Sequence, residues 1–119
     1  MEINPAKLVI DYSEKDVLRF PCVTAESTDG NATVNSHFGK VVLTEQTIAY
    51  GAEGTCVITN NLVAAGDAVL ASVIAAADAT PGVVSAVTTA NTITVTVSNF
   101  HGTDVSCTGY TLAFLLLKA

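Results

Sequence analysis

The chain has 119 residues, enough for one domain with a single core and too few for two independent cores. Its net charge of −6, with five Lys and Arg in all, leaves no basic patch to neutralise phosphates, which argues against nucleic acid and acidic membranes as partners. Hydrophobic residues make up 50% but charged residues 13% and aromatic residues 6%, so the surface is expected either to be built from Thr, Ser, Asn and Ala or to be covered by partners.

The first 36 residues differ from the rest: they concentrate charge, hold two of the three prolines and end in the polar stretch STDGNATVNS. They are expected to form an extended arm, 1–36, preceding a body that spans 37–119. Within the arm, the stretch from Lys7 to Phe20 carries Leu8, Ile10, Tyr12, Val17 and Phe20 and is not composed like a disordered tail. Leu8, Ile10 and Tyr12 alternate, a pattern able to add a strand to an exposed sheet edge of a partner, and all five residues are candidate contacts. The opening MEINPAKLVIDYSEKDVLRF is broken by charges and has no apolar run ending in a small-residue cleavage site, so no signal peptide is expected.

In the body, Lys40 to Ala49 sets Val41 and Leu43 against Val42 and Thr44, and Gly51-Ala52-Glu53-Gly54 supplies a turn before a short strand from Thr55 to Asn60. The pair reads as a hairpin. From Leu62 to Ala77 the alanines favour a helix. Gly66 interrupts that run, however, and the β-branched Val69, Val73 and Ile74 with two-residue alternation favour a strand from Asp67 to Ala75. Pro81-Gly82 marks a turn into a β-branched run ending at Thr88. Thr92 to Ser98 reads T-I-T-V-T-V-S, with Ile93, Val95 and Val97 on one face and hydroxyl residues on the other, the signature of a strand with one buried and one wet face.

The last segment, Thr108 to Lys118, puts Tyr110, Leu112, Phe114 and Leu116 on one face and Thr111, Ala113, Leu115 and Leu117 on the other. A strand apolar on both faces is either central in a sheet or covered by a neighbouring subunit. A closed ring of copies is the simplest cover, so a homotrimer through Leu112, Leu115 and Leu117 is expected. The longest apolar stretch, Leu112 to Leu117, is far shorter than the roughly 20 residues a membrane-spanning helix needs, so no membrane span is expected.

Chemistry is hard to find. His37 and His101 have no second His or Cys at ligand spacing, and Asp11, Glu14 and Asp16 read as a solvated face. Cys22, Cys56 and Cys107 form an odd set without CxxC spacing. Buried free thiols are the plain reading, and a Cys56–Cys107 bridge is the alternative. No phosphate-binding or nucleophile-elbow motif is present, so neither enzymatic activity nor a metal or other cofactor is expected.

From His37 to Lys118 the succession of GKVVLTEQTIAYGAEGTCVITNN, AVLASVIAA, TITVTVSN and GYTLAFLLL resembles the jelly-roll modules of phage head decoration, head-fibre and knob proteins. The resemblance implies an all-β fold, an antiparallel jelly-roll-like β-sandwich, attached to a capsid or fibre and often trimeric. The corresponding function is capsid decoration (cement): a structural virion protein, made in the host cytoplasm, that binds the major capsid protein on the capsid surface and stabilises the phage head shell. The alternative is a head-fibre or receptor-binding tip recognising a host-surface glycan or protein, which requires exposed aromatics in a shallow site.

Overall fold

The computed structural model describes residues 21–44, 47–75, 82–99, 105–106 and 110–119. Among them the two-residue alternation of apolar and polar side chains is realised as ten strands and no helix: β1 (Cys22–Ser27), β2 (Asn31–Thr33), β3 (Phe38–Leu43), β4 (Thr47–Ile48), β5 (Glu53–Thr59), β6 (Ala68–Ala75), β7 (Gly82–Thr89), β8 (Thr92–Ser98), β9 (Val105–Ser106) and β10 (Tyr110–Leu117). The stretch that alanine propensity favours as helix is therefore strand. Val69, Ala71 and Val73 pack against the core while Leu70 and Ile74 stand exposed, so burial of one face of β6 outweighs the weak intrinsic preference of alanine.

Eight strands form two four-stranded sheets, ordered β1-β3-β10-β6 and β2-β5-β8-β7, and β4 and β9 make a separate short pair. The pairings are nested. β3 lies antiparallel to β10 and β5 antiparallel to β8, while β6 and β7, consecutive in the chain, pack against one another between the sheets. Rolling this doubled ribbon brings β10 beside β6 and β8 beside β7, which is how a jelly roll closes on itself. The result is an all-β sandwich with a jelly-roll-like course.

Two parallel pairs make both sheets mixed. β1 runs parallel to β3 on the edge of one sheet, and β2 runs parallel to β5 on the edge of the other. Between β1 and β2 the chain crosses from sheet to sheet in a turn fixed by its own polar side chains. The Gly30 N–H donates to Ser27 Oγ (3.0 Å), the Asn31 N–H donates to Asp29 Oδ1 (2.9 Å), and Gly30 takes a positive φ of 88°. Just beyond, Val34 is wholly buried in the core.

This corrects the boundary expected at residue 36. The polarity of 27–36 reflects turn chemistry rather than a linker, and residues 22–34 belong to the sandwich. The remaining arm residues, 1–20, lie outside the described residues.

The expected hairpin between β3 and β5 is also corrected. A turn is present, with the Ala52 N–H donating to the Ala49 carbonyl at 3.0 Å and Gly51 at φ 72°, but β3 pairs with β1 and β10 while β5 pairs with β2 and β8. A turn residue fixes a reversal without fixing the sheet in which the next strand lands. The hairpin that does form is β7–β8, closed at Ala90-Asn91 with Asn91 at φ 59°, a conformation Asn tolerates better than most residues.

Between the sheets, Val41, Leu43, Leu112, Phe114 and Leu116 of one meet Cys56, Ile58, Ile93, Val95 and Val97 of the other. Burying each of the larger side chains is worth about 1.5–3 kcal/mol. Polar groups inside are paired: the Asn60 side chain donates to the Ser36 carbonyl (2.8 Å) and accepts from the Leu62 N–H (2.9 Å), and Asn99 donates to the Ile48 carbonyl (2.9 Å).

Candidate interaction surfaces

Because alternate residues of a strand point to opposite faces, the outer surface of each sheet can be read from the ladder register. Among the described residues three strand residues carry charge: Glu26 on β1, Lys40 on β3 and Glu53 on β5. The β2-β5-β8-β7 sheet turns outward Thr55, Val57, Thr59, Thr92, Thr94, Thr96, Ser85, Val87 and Thr89, an almost uncharged hydroxyl-and-methyl surface.

The other sheet carries one outward row that is apolar across its width, followed along the strands by rows that hold Thr24, Lys40 and Ser72, and Glu26 and Thr111. Cys22 pairs with Phe38, Phe38 with Leu115, and Leu115 with Leu70, so one residue from each of the four strands falls into a single row. A shallow groove of about 330 Å³ on this face is lined by Phe38, Leu70, Ser72, Ala113 and Leu115 among others.

Of the three residues expected to carry self-association, Leu112 is 0% exposed and belongs to the subunit's own core. It is corrected accordingly: an inward residue of a central strand has no surface left for a partner. Leu115 is half-buried in the groove and Leu117 is 41% exposed, both on the outer face. Phe38 and Leu70 were not singled out by sequence, since nothing local marks them; they join Leu115 only through register. The candidate arm contacts Leu8, Ile10, Tyr12, Val17 and Phe20 lie outside the described residues, as do Asp11, Glu14, Asp16, His101 and Cys107.

Among the described residues no group of three or more His, Cys, Asp or Glu side chains is gathered closely enough to hold a metal ion. His37 is exposed, Cys22 is an exposed free thiol, and Cys56 is a free thiol whose burial pushes its pKa up to about 11, so it stays protonated and inert.

Among the described residues the strongly perturbed carboxylate, Asp67, is structural. Asp67 accepts hydrogen bonds from the Ala119 N–H (3.0 Å), the Lys118 ammonium (2.5 Å) and the Ala64 N–H (2.9 Å), which lower its pKa to about 2. It ties the end of β10 to the loop before β6. A carboxylate depressed in the fold contributes stability that is fully present above its unfolded pKa of about 3.9 and is lost as pH falls through the folded value. Asp67→Asn is therefore expected to lower the urea midpoint at neutral pH and to flatten the stability loss between about pH 4 and pH 2. An acid dependence identical to that of the parent would show that the charge does not hold this clamp.

Comparison with protein families, with characterised proteins and with solved structures found no match. The fold and the chemistry of its faces are what a functional reading has to rest on.

Proposed function

We propose that the protein is a structural component of a virus particle, a capsid decoration protein whose sandwich stands on the shell. The observation that carries this reading is the distribution of charge: among the described residues ten strands hold three charged side chains, and one sheet face presents an apolar row across its full width. Such a molecule works by covering and being covered, whereas catalysis needs converging titratable groups in a recess. The sequence resemblance to phage head decoration proteins points the same way.

In this reading the partner is the major capsid protein, and the candidate contacts Leu8, Ile10, Tyr12, Val17 and Phe20 meet it.

Co-sedimentation with empty shells tests this. Binding is expected to saturate at a copy number comparable to that of the capsid subunits, and Leu8→Asp or Phe20→Asp is expected to weaken it more than Asp11→Asn. Absence of binding would remove the decoration role. A receptor-binding tip is the second reading, favoured by Tyr50, an aromatic residue 66% exposed beside the Gly51 turn. A few copies per particle together with glycan binding lost in Tyr50→Ala would select it.

A further inference from the structure

We propose that the outer face of the β1-β3-β10-β6 sheet is covered by another copy of this chain. The row of Cys22, Phe38, Leu115 and Leu70 crosses every strand of the sheet, and Ala113 and Leu117 extend it along β10. Leu70 is 61% exposed and Leu117 41%. Single exposed apolar residues are ordinary, but a contiguous row spanning a sheet marks a contact surface. This inference does not depend on a capsid.

Two features of the face favour a second copy as its occupant. The first is charge. With a net charge of −6, two copies of the chain repel one another over most approaches. This face carries Lys40 and Glu26, one of each sign on neighbouring strands, so it is locally neutral and self-complementary.

The second feature is area. Strands of six to eight residues at about 3.3 Å per residue, four abreast at about 4.8 Å, give a face of roughly 20–26 by 19 Å, or about 400–500 Å² in projection. That is about half to six-tenths of the ~800 Å² that each partner buries in a standard interface, which suits a small, concentration-dependent contact. Point-group symmetry then keeps the assembly finite.

The test uses the full chain with Leu70→Cys, a change at an exposed position. Maleimide labelling at position 70 is followed by peptide mass spectrometry from sub-micromolar to high-micromolar protein, alongside molecular mass by sedimentation velocity. Labelling is expected to slow several-fold as concentration rises, in step with growth to a dimer, the assembly at which a self-complementary face closes. Leu70→Glu is expected to abolish that assembly, and Val87→Glu, at a site 55% exposed on the other sheet, to leave it intact. Circular dichroism confirms that both variants stay folded. Fast labelling at every concentration would mean a bare face, and slow labelling in a monomer would mean cover by the chain's own residues. Either result, or equal loss of assembly in both Glu variants, overturns the proposal.

Discussion

Phe114→Ala is expected to destabilise the protein by about 3–5 kcal/mol, the usual cost of removing a fully buried aromatic side chain. Phe114 is 1% exposed and sits in the central strand β10, between Gly39 of β3 and Ala71 of β6 in the ladder. Its ring lies over Gly39, whose Cβ position would fall 2.7 Å from Cε1, so alanine would leave a cavity beside a residue with no side chain to fill it. Against a typical total of about 5–15 kcal/mol, the loss takes a large share of the stability and can unfold a marginal domain outright. Equilibrium urea unfolding measures it. A cost below about 1 kcal/mol would show that the sheets close over the gap and that the packing is looser than the burial of Phe114 implies.

How much of this architecture could be read in advance depends on the range over which each feature is encoded. Thr92 to Ser98 was legible residue by residue, because one buried and one wet face write a period of two directly into the sequence, and the strand has those bounds. β6 was legible once its β-branched residues were weighed against its alanines. The two apolar faces of β10 were legible as well, and its place between β3 and β6 realises the central position that such a strand allows. Which face was inward was not legible, since Leu112 and Leu115 differ in nothing but parity, and parity has no origin until the sheet is assembled.

Pairings between distant strands were illegible for the same reason. β1 meets β3 and β2 meets β5 in parallel, arrangements that need a crossover connection and leave no turn signature between the partners. Without knowledge of those partners, the polar residues from Ser27 onward look like a linker. With it, they are the turn that carries the chain from one sheet to the other, held by Ser27 Oγ and the Asp29 carboxylate. The apolar row on the outer face is the furthest removed from sequence, because it exists only as the alignment of four strands whose residues lie as far apart as Cys22 and Leu115.

Gly39→Ala is expected to cost about 1–3 kcal/mol even though alanine is the smallest possible addition, because the site is already full. A methyl group there would stand 2.5 Å from Val34 Cγ1 and 2.7 and 2.8 Å from Phe114 Cε1 and Cζ, all closer than carbon atoms approach one another. Neither neighbour can swing aside: Val34 is 0% exposed and Phe114 1%, and both are held between the sheets. The clash thus joins the β2 side of the core to the β3–β10 ladder, and it should be relieved from either partner. Val34→Ala, itself destabilising, should cost less in the Gly39→Ala background than in the parent, and Phe114→Leu should show the same sign of coupling, by about 0.5–3 kcal/mol as expected for residues in direct contact. Urea unfolding of the two double-mutant cycles gives both coupling energies. Strict additivity would mean that β3 shifts to accommodate the methyl group. The register that aligns Phe38 with Cys22 and Leu115 would then be soft, and the outer row would lose its fixed geometry.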